Sequence, residues 1–180
     1  MIAGIDYSIT SPSICVYKDG QFNPTNCIFN CFVLVNKWWS RWSNIANVNC
    51  HSIPKNCKDV DRYAFLAQWT INNLMWHNGR VEKVYIEDYS YGSVGRVFNI
   101  AENTGILKHL LTEQHFKYEC IAPTTIKKFA TQKGNSNKEA MLEAWKNEPG
   151  TFELAQEKGN PSSDIVDSYF ICKYGFMQSQ

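Results

Sequence analysis

Residues 1–20, MIAGIDYSITSPSICVYKDG, decide the fold. Two short apolar stretches within them, residues 2–7 and 13–18, are separated by a polar turn and predict two β-strands. The Asp19-Gly20 pair is a hairpin signal, and it leads to a third predicted strand at residues 26–35. The chain therefore opens with an antiparallel β-meander.

Beyond a predicted long loop at residues 36–58, the chain alternates helices with strands. Helical spacing begins at Asp59 and stops at residues 77–79 (His-Asn-Gly). Later elements are predicted as strands at 81–87 and 116–121 and as helices at 98–114, 123–131, 138–146 and 161–174. This order predicts an α/β fold with a mixed five-stranded sheet (an antiparallel β-meander, then parallel strands), flanked by helices in a single domain over residues 1–180.

Composition and charge exclude several classes of protein. The chain has 180 residues, of which 44% are hydrophobic, so it can bury its own core and is not expected to be disordered. Its longest apolar run, residues 31–35, is far shorter than the roughly 20 residues of a membrane span. Without a recognisable export signal, we expect a cytoplasmic protein with no membrane association.

A local basic patch stands out because the net charge is only +1. Residues 123–138 contain no Asp or Glu, and they carry four lysines that we take as candidate DNA-binding residues: Lys127, Lys128, Lys133 and Lys138. Exposed lysines are commonly only solvated, and that interpretation stays open.

The seven cysteines form an odd set with no CxxC pair, and we expect reduced thiols. Cys27, Cys31, Cys50 and Cys57, with His51, leave a zinc site open. Because Cys27 and Cys31 lie in a predicted strand, packing as small hydrophobic residues is favoured.

Four acidic residues fall where the predicted elements meet. Asp6 and Glu87 end two strands, and Asp164 and Asp167 lie one turn apart on the last helix, so they can face the same point. As alternatives, a strand-end Asp can form a turn, and Asp164 can cap its helix. Asp88 is left out because alternation along the strand turns it to the other face.

Gathered carboxylates repel each other unless a cation lies between them. Hard oxygen ligands prefer Mg²⁺, with Mn²⁺ as a substitute. Two such ions can promote hydrolysis of a phosphodiester, so the four acids predict a two-metal nuclease.

These motifs together resemble the RuvC family of Holliday junction resolvases, and more narrowly its phage-borne relatives. The resemblance spans residues 4 to about 174 and rests on Gly4-Ile5-Asp6-x-Ser8, Ile86-Glu87, the stretches 123–128 and 137–141, and Asp164-x-x-Asp167. Bacterial members usually have Pro-Gly after the first Asp, where this chain has Tyr7-Ser8. Residues 36–58 and 147–160 also look longer than the family pattern.

The resemblance implies an RNase H-like fold and a homodimer in a bacterial or phage-infected host cell. It further implies Mg²⁺-dependent, paired nicks in four-way DNA junctions or other branched DNA. By the same resemblance, Asp6, Glu87, Asp164 and Asp167 would be the metal-binding catalytic acids. Lys127 and Lys138 would be the basic pair, with Lys138 catalytic.

Aromatic residues add two further expectations. In the family an aromatic residue after the catalytic Glu can wedge into the junction, and Tyr89 or Tyr91 could do so here. Residues 37–42, Lys-Trp-Trp-Ser-Arg-Trp, alternate cations with indoles and could hold an opened strand. Packing in the core or a dimer interface is the favoured alternative for these tryptophans.

Three other functions stay open. The same acids would serve an RNase H or a flap or fork debranching endonuclease. A catalytically silent DNA-binding relative is possible, although its carboxylates would weaken DNA binding. The first motif also resembles the phosphate loop of sugar kinases and actin, but the second domain and later glycine-rich loop of that superfamily are missing from this sequence.

Overall fold

A mixed β-sheet forms the centre of the molecule. The structure, a computed structural model, describes residues 1–54, 57–75, 81–89, 97–156 and 158–180. Within these ranges the strands are β1 (Ile2–Asp6), β2 (Ser13–Tyr17), β3 (Cys27–Phe32), β4 (Val48–His51), β5 (Lys83–Glu87) and β6 (Lys117–Ile121). They form a six-stranded sheet in the order β4-β3-β2-β1-β5-β6.

Helices cover both faces of this sheet. In the described ranges they are α1 (Trp39–Ser43), α2 (Asp59–Met75), α3 (Val97–Glu113), α4 (Pro123–Thr131), α5 (Lys138–Lys146) and α6 (Ser162–Gln178), with 3₁₀ turns at Pro24–Asn26 and Asn36–Trp38. The elements match their predicted positions closely, and α6 runs four residues beyond its predicted end at residue 174. The predicted stop of α2 at residues 77–79 lies outside the described residues.

The strand directions follow the predicted meander and crossovers. β1 pairs antiparallel with β2, and β2 antiparallel with β3. β5 is parallel to both β1 and β6. β1, β3 and β5 therefore point the same way, and their carboxyl ends share one edge of the sheet.

The prediction of a long loop at residues 36–58 was wrong, and with it the count of five strands. This segment contains α1 and the edge strand β4, which pairs parallel with β3 from Phe29↔Val48 to Phe32↔His51. The four residues of β4 are too few and too polar to show an alternating pattern. Their pairing with β3 makes them a strand, and that pairing is not a local property of the sequence.

Two hydrophobic layers hold the helices on the sheet. On one face, Leu66 of α2 and Leu107 of α3 are buried with Ile5 of β1. On the other face, Tyr169 of α6 packs its ring centroid 5.2 Å from that of Trp145 of α5. Burying apolar surface on both faces is the main favourable contribution to folding.

Glycines let α6 lie directly against the sheet. A Cβ added to Gly4 would lie 2.5 Å from the carbonyl oxygen of Ser168 and 2.6 Å from Cα of Cys172, both in the backbone of α6. A Cβ on Gly175 would lie 2.7 Å from Cγ of Tyr85. Only glycine permits this close approach, which brings the first turns of α6 to the carboxyl end of β1.

The cysteines are free thiols, and Cys15, Cys27, Cys31 and Cys172 are buried. No described helix combines the length and apolar character that crossing a bilayer requires.

Candidate active site

Two of the predicted acids lie side by side where neighbouring strands end. The parallel register of β1 and β5 pairs Ile5 with Ile86, so Asp6 and Glu87 follow at the next position of each strand. Alternation along the strands turns both toward the face that carries α6, because Gly4 and Tyr85, two residues earlier, contact α6. Both acids are half-buried.

The other two acids reach the same place from α6. The Ser168 hydroxyl of α6 lies 3.1 Å from that of Ser13, and Ser13 is the register partner of Asp6. This contact holds Asp167, the neighbour of Ser168, beside the end of β1. Asp164, one turn earlier, is buried.

Electrostatics show that the four acids form one group. Burial raises the pKa of Asp6 well above its usual range, and the charges of Glu87, Asp167 and Asp164 raise it further. Burial, followed by the charge of Asp167, raises the pKa of Glu87 to about 7. The predicted acids are therefore brought together by the fold.

The pKa values of the two acids of α6 are raised as well. Burial raises the pKa of Asp164 to about 7, although a hydrogen bond from Ser11 opposes the shift. Burial also raises the pKa of Asp167 to about 6, against the charges of Lys138 and Lys127. Concentrated negative charge of this kind is typical of a site that receives cations or positive groups of a ligand.

Lys127 and Lys138 are placed beside the acids by two short helices, α4 and α5. α4 begins with Pro123 at its first turn, where the missing N–H is no loss. α5 begins after Asn137, whose side chain accepts a hydrogen bond from the Ala140 amide at 3.0 Å. The two lysine charges act on the acids, as the pKa values of Glu87 and Asp167 show.

The other predicted DNA-binding residues divide into three groups. Lys128 and Lys133 are exposed on or after α4 and are not among the charges that shift the pKa of the acids. Tyr89 is half-buried and lines a cavity together with Asp6 and Glu87, and Lys108 Nζ lies 5.5 Å from its ring centroid. Tyr91 lies outside the described residues.

A polar network around Asp164 was missed by the sequence analysis. The buried Ser11 hydroxyl donates to Asp164 Oδ2 at 2.9 Å and accepts from the Asn160 amide. Ser163 donates to the Asn160 side-chain oxygen at 2.9 Å, and Lys138 Nζ donates to Ser163 at 3.4 Å. Ser11 and Asn160 are 149 residues apart, so no local pattern could link them.

Cavities flank the acids on two sides. One of about 340 Å³ is lined by Asp6, Glu87, Tyr89 and Lys127 among others. Another of about 330 Å³ is lined by Asp167 and Lys138, between α5 and the start of α6. Each cavity thus combines catalytic candidates with one of the two lysines.

Asp88 lines the edge of the first cavity but belongs to a different contact. Its carboxylate lies 4.0 Å from Lys108 Nζ of α3, on the face of the sheet opposite α6. Its amide donates to the carbonyl of Ile121 at 2.8 Å. Asp88 therefore does not join the four acids.

The chemistry of the donor set fits hard divalent cations. Four carboxylates supply only oxygen, and burial together with the charges of the other three acids raises the pKa of Asp6. Within the described ranges, no three Asp, Glu, His or Cys side chains converge closely enough to enclose one ion. These findings are compatible, because Mg²⁺ usually takes one or two carboxylates and completes its shell with water and substrate phosphate.

Comparison with solved structures identifies the class of fold. No protein-family model and no curated protein matches the chain. Solved structures do match over nearly the whole length, and they confirm a RuvC-like, RNase H-like α/β fold with a mixed sheet flanked by helices.

Two of the similar structures are of RuvC from Thermus thermophilus. One, described as the T. thermophilus RuvC structure, is 17% identical with a TM-score of 0.63 and covers 98% of this chain and 96% of that chain. Another, T. thermophilus RuvC in complex with Holliday junction substrate, is 15% identical with a TM-score of 0.64 and covers 99% and 96%. At these identities the likeness is one of fold.

Proposed function

We propose that this protein is a divalent-cation-dependent endonuclease that cuts phosphodiesters in branched DNA, with four-way junctions as its main substrate. The observation that carries the proposal is the group of four carboxylates, two at strand ends and two on α6, whose charges act on one another within a RuvC-like fold. The likeness to a RuvC structure bound to Holliday junction substrate supports the choice of DNA.

The acids would hold the cations. Asp6, Glu87, Asp164 and Asp167 are the residues we assign to two Mg²⁺ ions, with Mn²⁺ as a substitute. When bound, these ions supply activation of the attacking water and stabilisation of the leaving oxygen.

The surrounding residues would orient the Asp164 carboxylate and neutralise negative charge on the DNA. Ser11 donates to Asp164 Oδ2 at 2.9 Å and Ser163 donates to Asp164 Oδ1 at 3.5 Å, and these two hydrogen bonds would fix the orientation of the carboxylate. Lys127 and Lys138 stand at two cavities on either side of the acids, where each can hold a phosphate of the cut strand. Lys138 is the candidate to offset charge that develops during attack, because it acts on Asp6, Asp164 and Asp167.

A homodimer and membership of the phage-borne branch complete the proposal. A four-way junction has two-fold symmetry, and a dimer with the same symmetry would bring one site to each of two strands. The expected product is a pair of symmetric nicks, and the expected mass in solution is that of two chains.

The test compares nicking of labelled substrates in Mg²⁺ and in EDTA. The substrates are an immobile four-way junction, a linear duplex, an RNA/DNA hybrid and a fork. Glu87→Gln is the inactive variant, and Glu102→Gln, which changes an exposed acid of α3, is its matched control. Paired nicks on the junction that are lost in EDTA and in Glu87→Gln support the proposal.

The other results separate the alternatives. Preferred cutting of the hybrid would indicate an RNase H, and preferred cutting of the fork would indicate a flap or fork debranching enzyme. Junction binding with no cutting in either Mg²⁺ or Mn²⁺ would indicate a silent DNA-binding relative and overturn the proposal.

A further inference from the structure

A long stretch of the chain lacks negative charge. Residues 20–58 contain no Asp or Glu, although acids make up almost a tenth of the whole sequence. The same stretch includes Lys37 and Arg41, both exposed. Such a segment can approach a polyanion without the repulsion that acids would cause.

The three tryptophans of this segment differ in how far their side chains are buried. Trp42 is fully buried in the core beneath α6, so packing explains it. Trp38 is half-buried against the same core. Trp39 keeps 36% of its surface exposed, so the core accounts for only part of this side chain.

The Trp38 ring contacts the cationic side chains of Lys37 and Arg41. Lys37 Nζ lies 5.3 Å and Arg41 Cζ lies 5.0 Å from the centroid of the Trp38 ring. Cation–π contacts of this kind limit the motion of both side chains. Positive groups are therefore held next to Trp39, where Leu34 and Val35, 50% and 49% exposed, add apolar surface.

This surface begins at the edge of the sheet that carries the acids. The register Asp6↔Ser13 and Ser13↔Cys31 sets the end of β3 level with Asp6, two strands away. At about 4.8 Å between neighbouring strands, that is about 10 Å. The chain that leaves β3 leads directly into residues 34–41.

We propose that Leu34, Val35, Lys37, Trp39 and Arg41, here named the tryptophan surface, bind an unpaired DNA strand. Trp39 stacks on a base, and Lys37 and Arg41 contact the phosphates on either side. The exposed indole, the fixed cations and the absence of acids from residues 20–58 all favour single-stranded nucleic acid as the occupant. That the tryptophan surface guides a strand of the cleaved substrate rests on the function proposed above.

The test measures binding of labelled oligo(dT) by fluorescence anisotropy in EDTA, where no cutting interferes. Trp39→Ala should weaken binding about 5- to 150-fold, the range for loss of one stacked base, and Trp39→Phe should restore most of it. Met75→Ala, which removes another exposed apolar side chain, is the matched control and should bind as wild type.

Salt dependence tests the two cations separately. Each phosphate contact to a single strand contributes about 0.7 to the slope of log affinity against log salt, so Lys37→Gln with Arg41→Gln should reduce the slope by about 1.4. An unchanged slope, or Trp39→Ala binding with wild-type affinity, would overturn the proposal. So would a Trp39→Ala variant that changes the oligomeric state but not oligo(dT) binding, since the occupant would then be a second copy of the chain.

The two proposals can fail independently. If oligo(dT) binding depends on Trp39 but no branched substrate is cut, the tryptophan surface stands and the nuclease function fails. If junctions are nicked and oligo(dT) binding does not depend on Trp39, only the proposal for the tryptophan surface fails.

Discussion

Replacing Glu87 with Gln should abolish cutting and yet make the cation-free protein more stable at pH 8. Gln has nearly the shape of Glu but no charge, so it removes the cost of burying a charge here and the repulsion from Asp167, and it keeps the packing. Enzymes often carry a destabilised active site of this kind. The prediction therefore links the catalytic assignment to a quantity that can be measured without any substrate.

The magnitude follows from the pKa of Glu87, which is raised from its usual 4.5 to about 7. At about 1.4 kcal/mol for each pH unit, ionising this group in the folded protein costs about 3 kcal/mol more than in the unfolded chain. Because the folded pKa is the higher one, the folded state binds the proton more tightly. The contribution of Glu87 to stability is therefore fully present below pH 4.5 and is lost as the pH rises through about 7.

The assay is urea and thermal unfolding in EDTA at pH 8 and at pH 5. At pH 8, Glu87→Gln should gain up to about 3 kcal/mol, or about 6–12 °C in Tm for a chain of this size. At pH 5 the gain should fall to about 1 kcal/mol, because the group is then mostly protonated in the folded protein and only partly ionised in the unfolded chain. Glu102→Gln should show little gain at either pH. Added Mg²⁺ should stabilise the wild type more than the variant.

A gain that is equal at both pH values would refute the reasoning, because the burial and repulsion of an ionised Glu87 would then not be its source. A loss of stability at pH 8 in EDTA would refute it as well.

Three further predictions concern packing, the polar network and the basic residues. Gly4→Ala should lower the free energy of urea unfolding by about 3 kcal/mol or more, because its Cβ would meet the backbone of α6. Gly105→Ala, with nothing within 4 Å of its Cβ, should raise it by about 0.5–1 kcal/mol. Equal effects of the two substitutions would contradict the close approach of α6 to β1. Ser11→Ala should raise the Mg²⁺ concentration needed for half-maximal nicking about 10- to 100-fold, and an unchanged Mg²⁺ titration would remove Ser11 from the site. Lys138→Ala should slow nicking about 100-fold and move the pH–rate profile to higher pH, because the charge of Lys138 lowers the pKa of both acids of α6. Lys128→Ala, at an exposed position, should do neither. Equal losses of activity in the two variants would mean that both lysines contribute only to general DNA binding.

The positions of the four acids could be predicted because each depends on a local pattern. An apolar run that ends in an acid predicts a strand with a carboxylate at its edge, as in β1 and β5. Two acids three residues apart on a helix share a face, as Asp164 and Asp167 do. Strand order and helix packing then bring these local features together.

The edge strand β4 and the polar network could not be predicted in this way. β4 is defined by its pairing with β3 rather than by its own composition. Ser11 and Asn160 read as ordinary turn residues in the sequence, and only their contact with each other and with Asp164 gives them a role.

The tryptophans of residues 37–42 show the same division within a single motif. The sequence predicts indoles beside cations, and both base stacking and core packing are consistent with that pattern. Which indole is buried depends on where α1 lies against the core beneath α6. The structure buries Trp42 and leaves Trp39 partly exposed.

The sequence by itself determined the element order, the α/β class and the acids at strand ends and on the last helix, because hydrophobic periodicity and turn residues act over a few neighbours. Only the tertiary structure decided how close those acids lie and how strongly their protons are held. Burial and charge repulsion act between atoms close in space, and here those atoms come from residues as far apart as Asp6 and Asp167. The approach of α6 to β1 at Gly4 is what joins them.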